Sequence, residues 1–159
     1  MEKKHILFQS LEVYVGSAIT RHPEKQNIIV ARTEHQKLVD KLWDECKRIV
    51  RARYIKEDGT WDCFTCGRRI DVPAKAQTGH CIPSGACGAY LRYDFRNLRI
   101  QCYNCNINQG GAGAAYYRNL VLENGQEYVD QLFQDKFKTV KADKWWYLEK
   151  IANYKEILK

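Results

Sequence analysis

The chain has 159 residues, with 26 lysines and arginines against 19 acidic residues, and its formal net charge is +7. This length is enough for a domain with its own hydrophobic core, and the 45% hydrophobic content excludes a disordered tail. No apolar run approaches the roughly 20 residues that span a bilayer, and residues 1–5 lead only into a short apolar stretch. We therefore expect neither a membrane protein nor a secreted one, and the charge makes a polyanion the leading class of partner.

The first clear secondary-structure signal begins at Thr33. Residues 1–33 give no clear signal, because strand-like alternation and helical spacing both fit them. Thr33 is a candidate N-cap with Gln36 three positions later, and apolar residues then recur at helical spacing as far as Tyr54. Basic residues fill the second half of this stretch. The sequence predicts a long basic amphipathic helix over residues 34–58, which ends near Gly59.

The rest of the chain divides into an irregular core and a helical region. Residues 60–111 contain all the cysteine pairs and many glycines, which indicates a small core held together by something other than regular secondary structure. Residues 112–159 show helical periodicity over about 112–122, 126–137 and 143–159. We predict a small irregular core flanked by several α-helices.

Two C-x-x-C pairs are the strongest motif. Cys63 with Cys66, and Cys102 with Cys105, have the spacing of a structural zinc site, because each pair offers two thiolates from a tight turn. A redox-active dithiol is a poorer interpretation, since it needs one such pair. Paired cysteines without an export signal indicate metal binding in a reducing, cytoplasmic compartment rather than disulfides. The remaining cysteines are expected to be packing residues: Cys46, Cys81 and Cys87.

One histidine and two asparagines lie between and after the two C-x-x-C pairs, which we call the knuckles. His80 falls in the long insert between the two pairs, Asn97 comes shortly before the second pair, and Asn106 directly follows it. One histidine and two asparagines in this order around a zinc cradle resemble the pattern of the HNH, or ββα-metal, nucleases. The resemblance implies an α+β fold, in which a small zinc-bound, treble-clef-like ββα-metal core is flanked by several α-helices. Taken singly, each of these residues is also common in ordinary turns and hydrogen-bonded loops.

The pattern resembles one family in particular, the phage NinG/Rap recombination endonucleases, over roughly residues 35–135. It is also similar to the phage Holliday-junction resolvases of the endonuclease VII type. Membership of the NinG/Rap family implies a structure-specific DNA endonuclease that cuts branched DNA, of Holliday-junction or D-loop type, during phage recombination in the host cell cytoplasm. The stretches that carry the resemblance are Trp61-Asp62-Cys63-Phe64-Thr65-Cys66-Gly67, Gly79-His80, Arg96-Asn97-Leu98, Cys102-Tyr103-Asn104-Cys105-Asn106 and residues 124–130.

Phosphodiester hydrolysis assigns a role to each of the three polar residues. His80 is the candidate general base, since an imidazole pKa near neutrality suits the deprotonation of water. Asn106 offers a side-chain oxygen to a catalytic Mg²⁺ or Mn²⁺, which is distinct from the structural zinc. Asn97 is expected to pin the loop that carries His80. Many HNH sites have an aspartate directly before the histidine as a second metal ligand, but this chain has Gly79, and Asp71 or Asp94 are the alternatives.

DNA contacts are expected beside this site. Arg92, Arg96 and Arg99 flank it, and Gly110 and Gly111 open a helix whose free amide groups suit a phosphate. A branched substrate has two-fold character, which fits a homodimer, with the aromatic C-terminal helix as one candidate contact.

Two other functions stay open: a catalytically silent zinc module that binds DNA, and an HNH nuclease that acts on linear duplex.

Overall fold

The structure is a computed structural model that describes residues 32–159, so the expectations for residues 1–31 lie outside the described residues. Its first element is helix α1, Glu34–Tyr54. Thr33 caps this helix, since its hydroxyl oxygen accepts a hydrogen bond from the backbone N–H of Gln36 at 3.2 Å. One face of the helix is fully buried and supplies Leu42, Cys46, Ile49 and Val50 to the core.

Helix α1 ends earlier than the predicted end near Gly59. Ile55 is already extended, and a turn follows in which the Asp58 carboxylate accepts hydrogen bonds from the backbone N–H and the hydroxyl of Thr60, at 3.0 and 2.6 Å. The N–H of Lys56 donates to the carbonyl of Thr60 at 2.8 Å instead of to a carbonyl of the preceding helical turn, so the helix does not continue past Tyr54.

Two small antiparallel sheets form the region between the helices. Strands β1 (Trp61–Asp62) and β2 (Arg69–Ile70) make a short hairpin, while β3 (Ala76–His80) pairs with β4 (Leu98–Cys102). Strand β4 is buried along its whole length. The loop between β3 and β4 contains the short helix α2 (Ala89–Arg92), and a π-helical turn, Asn104–Asn108, follows β4.

Three helices complete the chain: α3 (Gly113–Asn124), α4 (Gln126–Asp135) and α5 (Lys144–Glu156). Gly125 separates α3 from α4 with a φ of +88°, which only glycine adopts readily. The fold over residues 32–159 is therefore mixed α+β, mostly helical with two small sheets. None of the helices in this range is long and apolar enough to cross a bilayer.

The buried residues form two clusters. One contains residues of α1 and α5 together with β4, and the other joins α3 and α4 to the loop after β3. Cys46 lies in the first cluster, Cys81 in the second, and Cys87 packs against the second, which confirms that they are packing residues. In the C-terminal helix, Tyr147 is part of the core of its own chain while Trp145 is exposed. The homodimer stays a prediction.

Candidate metal centre and active site

The four paired cysteines converge on one point. Their sulfur atoms all lie within 4.8 Å of one another, and the Sγ atoms of Cys66 and Cys102 are 3.9 Å apart. A tetrahedral zinc ion with Zn–S bonds of about 2.3 Å places its sulfur ligands roughly 3.8 Å apart. The cluster therefore fits a tetrahedral ion such as zinc, as the spacing of the pairs predicts.

Local backbone geometry brings the two knuckles together. In the first knuckle the N–H of Gly67 donates to the carbonyl of Cys63 at 2.8 Å, and Gly67 has a φ of +69°, which closes the turn tightly. The N–H of Phe64 donates to the carbonyl of Ile100 at 2.8 Å, which ties this knuckle to strand β4. Cys102 is the last residue of that strand, so the second knuckle begins where the first one is anchored.

The thiols of the cluster differ in acidity. Burial raises the pKa of Cys63, but the backbone N–H groups of Cys102, Cys66 and Thr65 outweigh burial and lower it to about 7. The pKa of Cys105 is raised, first by burial and then by its hydrogen bonds to neighbouring thiols. One thiolate forms readily in this cluster, and its negative charge opposes the ionisation of the other thiols. A bound dication would neutralise that charge and stabilise all four as ligands.

His80 ends strand β3 and is held from two sides. Its ring stacks on Trp43 of α1 at a centroid distance of 5.0 Å and an interplanar angle of 14°. Its Nε2 lies 3.0 Å from the backbone carbonyl oxygen of Arg92. A carbonyl only accepts, so Nε2 carries the hydrogen and the tautomer assigned from this bond leaves the lone pair on Nδ1.

The protonation state of His80 suits a base. Burial, followed by the positive charge of Arg92, lowers the pKa of the imidazole from its usual 6.5, and the hydrogen bond to the Arg92 carbonyl only partly opposes this. The ring is therefore neutral at pH 7, with Nδ1 free to accept a proton.

Asn97 lies behind His80 and is completely buried. Its side-chain oxygen accepts from the N–H of Ile82 at 2.7 Å, and its amide nitrogen donates to the carbonyls of Ile82 at 3.0 Å and Leu91 at 3.4 Å. The asparagine thus clamps the chain two residues after His80. This geometry supports a positioning role and keeps Asn97 away from any bound cation.

An open cleft of about 150 Å³ brings the other site residues together. Gly110 and Gly111 both have positive φ values, +57° and +90°, which turn the backbone around the mouth of the cleft. A larger cavity of about 380 Å³ lies beside α5, but neither His80 nor a knuckle cysteine lines it. The residues that line the small cleft are His80, Pro83, Ser84, Asn106, Gly110 and Gly111.

The three predicted arginine contacts differ sharply. Arg99 was expected at the DNA surface, but it is only 5% exposed, and its guanidinium pairs with Glu123 of α3 at 2.6 Å. Arg99 therefore joins the sheet to α3, and we correct its assignment. Arg96 is half-buried and pairs with Asp94 at 2.7 Å and Asp135 at 2.9 Å, so its charge is already neutralised.

Arg92 is the remaining member of the predicted set. It is half-buried, has no ion-pair partner among residues 32–159, and its backbone carbonyl holds His80. The two alternative carboxylates do not lie at the cleft. Asp94 caps the turn Phe95–Asn97 and binds Arg96, while Asp71 lines a separate cavity near Arg68.

Two residues beside the site were missed by sequence reasoning. Trp43 fits the apolar spacing of α1 and gave no sign that it would stack on a histidine far along the chain. Gln101 directly precedes the second knuckle and is completely buried, although glutamine is usually exposed. Its position next to Cys102 was the only available signal.

The described fold and site define a small mixed α+β protein with a four-cysteine metal-type centre beside a cleft that contains a histidine and an asparagine. The chain belongs to the NinG family, since the family model described as "Bacteriophage Lambda NinG protein" matches residues 18–159. It is similar to the protein ninG of Escherichia phage 933W, with 31% identity over 88 residues, and to that of Escherichia phage lambda, with 30% identity over 88 residues.

Each alignment covers 55% of this chain and 42% of the relative, so the match spans less than half the length of these curated proteins. No solved structure matches the chain significantly.

Proposed function

We propose that this protein is a metal-dependent DNA endonuclease with an HNH-type, or ββα-metal, active site. The observation that carries the proposal is the pairing of His80 and Asn106 across one cleft, with the Nδ1 lone pair of His80 available and the four-cysteine centre directly beside Asn106. The order of elements supports it, because β3 ends in His80, antiparallel β4 follows, and the helical turn after β4 contains Asn106.

The residues of the cleft suit hydrolysis of a phosphodiester. Nδ1 of His80 takes a proton from the attacking water, while the Arg92 carbonyl holds Nε2–H and stabilises the imidazolium that forms. The water oxygen bonds to phosphorus, the bond from phosphorus to the 3′-oxygen breaks, and the released 3′-oxygen takes a proton from solvent water. When bound, a divalent cation such as Mg²⁺ or Mn²⁺ would supply the charge that polarises the phosphate and stabilises the leaving oxygen. Asn106 would hold that cation through its side-chain oxygen.

The zinc-type centre has a structural role in this proposal. Four thiolates complete a tetrahedral coordination shell, which leaves no open position for water or substrate. Because Cys105 directly precedes Asn106, ligation of the sulfur fixes the backbone that presents the asparagine. The structural ion and the catalytic cation are distinct.

The DNA surface that we propose contains fewer residues than the set predicted from the sequence. Arg92, Gly110 and Gly111 remain as contacts beside the cleft, where the positive-φ backbone can approach a phosphate closely. The formal charge of +7 favours association with DNA in general. A branched substrate, a role in phage recombination and action in the host cell cytoplasm follow from the resemblance to the NinG/Rap family.

A cleavage assay on three substrates tests the proposal. The full chain is incubated with Mg²⁺ or Mn²⁺ and equal amounts of a labelled four-way junction, a flap and a linear duplex. Preferential cutting of branched DNA supports the proposal in full, and equal cutting of all three favours a nuclease of linear duplex. No product on any substrate would favour the alternative, a catalytically silent zinc module that binds DNA.

A further inference from the structure

The buried amide of Gln101 carries an acceptor that nothing in the described fold uses. Its Nε2 donates to the hydroxyl of Thr65 at 2.6 Å and to the carbonyl of Gly111 at 2.8 Å. Because the Gly111 carbonyl only accepts, the amide cannot be reversed, and Oε1 must lie on the other side. There it is buried and has no hydrogen-bond partner among residues 32–159. A buried carbonyl oxygen without a partner is rare in proteins and calls for an explanation.

The unused oxygen points at the space above Gly79. A Cβ atom at residue 79 would collide with Oε1 of Gln101 and would lie 3.1 Å from Oδ1 of Asn106. Oε1 of Gln101 and the side-chain amide of Asn106 therefore border the same space beside Gly79, where β3 has no side chain. A buried acceptor such as Oε1 of Gln101 costs free energy unless a donor or a cation meets it.

We infer that Gln101 is the second protein ligand of the divalent cation, and that its Oε1 acts together with Oδ1 of Asn106. The inference rests on the proposed function and goes further by explaining how the site works without an aspartate before His80. Amide oxygens are hard ligands that suit Mg²⁺ and Mn²⁺, with waters and a substrate phosphate completing the coordination.

A side chain at residue 79 and the side-chain amide of Gln101 would occupy the same volume. Gly79 has no positive φ, so its backbone would accept a side chain, and the atoms nearest to that side chain belong to the amides of Gln101 and Asn106. An aspartate at residue 79 and a glutamine at residue 101 exclude each other for this reason. In this chain the ligand comes from β4 instead of β3, and it is neutral instead of charged.

Binding of Mn²⁺ to the zinc-loaded protein, followed by the electron paramagnetic resonance signal of free Mn²⁺, tests the inference without reference to activity. Gln101→Ala should weaken binding about 10–100-fold, as Asn106→Ala should, because each removes one of two protein ligands. Gln101→Met, which keeps the volume but has no hard oxygen, should weaken it as well. Gln77→Ala is the matched control, since Gln77 lies opposite Gln101 in the sheet and bonds the carbonyl of Ala74.

A rescue variant separates ligation from packing. Gly79→Asp combined with Gln101→Ala opens the space and fills it with a carboxylate, so it should restore Mn²⁺ binding to at least the wild-type affinity. Zinc content and melting temperature report whether each variant is folded. Normal binding by folded Gln101→Ala or Gln101→Met, with binding lost in Asn106→Ala, would overturn the inference and leave the proposed function standing. No Mn²⁺ binding by the wild type, with or without duplex DNA, would overturn both.

Discussion

Replacing Asn97 with alanine removes the clamp on the chain after His80, and its cost can be worked out bond by bond. The variant leaves the buried N–H of Ile82 without its acceptor, which costs about 1–3 kcal/mol, and takes a donor from the carbonyl of Ile82, which costs about 1 kcal/mol more. The Leu91 carbonyl keeps a donor, because it also accepts from the N–H of Asp94 at 3.2 Å. We expect a loss of about 2–4 kcal/mol in the free energy of unfolding.

Urea unfolding of the zinc-loaded protein measures this loss. Asn108→Ala is the matched control, since Asn108 is exposed and its side chain bonds only Asn104, at 3.2 Å; its effect should stay within about 0.5 kcal/mol. If Asn97→Ala unfolds at the same urea concentration as Asn108→Ala, the reasoning is refuted.

Asn97→Asp should make the folding stability depend on pH in a way that simple loss of packing would not. The carboxylate keeps the acceptor for the Ile82 N–H but turns an oxygen towards the carbonyls that the amide bonded. Burial and these carbonyls disfavour the charged form, so the folded state binds a proton more readily than the unfolded state does. The stability of this variant relative to wild type should therefore rise as the pH falls towards the unfolded carboxyl pKa of about 3.9. A pH-independent difference would contradict the clamp geometry.

Three further predictions concern the metal centre, the base and the arginines. Cys102→Ser should abolish stoichiometric zinc binding and lower the melting temperature, as metal analysis and circular dichroism would show; a retained ion contradicts the four-sulfur centre. Because the pKa of His80 is lowered, the acid limb of the pH–rate profile should have its midpoint below pH 6.5. Trp43→Ala should shift this midpoint upward, because it exposes the imidazole ring. The same midpoint in Trp43→Ala and wild type would contradict the role of burial. Arg92→Ala should reduce the salt dependence of DNA binding by about one unit of slope, whereas Arg99→Ala should change stability and leave the slope intact.

Local features of the site were accessible from the sequence. The C-x-x-C spacing identified all four sulfur positions, because each knuckle is a single turn whose geometry depends on nearby residues. The cap at Thr33 was predicted for the same reason, since it involves only the next three residues. The α+β class was implied by the resemblance to the HNH nucleases, whereas the change of composition indicated only where the small core lies.

Features that depend on distant pairing were not accessible. Gly79 looked like the loss of a ligand, because the approach of Gln101 depends on the register between β3 and β4. Arg99 looked like a surface cation, because its partner Glu123 comes from a helix that follows the sheet in sequence. The stacking of Trp43 on His80 likewise joins α1 to β3, and no short-range pattern encodes it.

The central claim is that His80 drives metal-dependent cleavage of DNA, and one measurement tests it most directly. Cleavage of a labelled four-way junction is followed with zinc-loaded wild type and His80→Ala, with Mg²⁺ present or omitted, while fluorescence anisotropy reports junction binding. His35→Ala is the matched control, since His35 is exposed on α1 and contacts Tyr147. We predict Mg²⁺-dependent cleavage that falls about 10²–10⁴-fold in His80→Ala, with junction binding retained and the control unchanged. Cleavage by His80→Ala at the wild-type rate, or cleavage that does not require the added cation, would contradict the account.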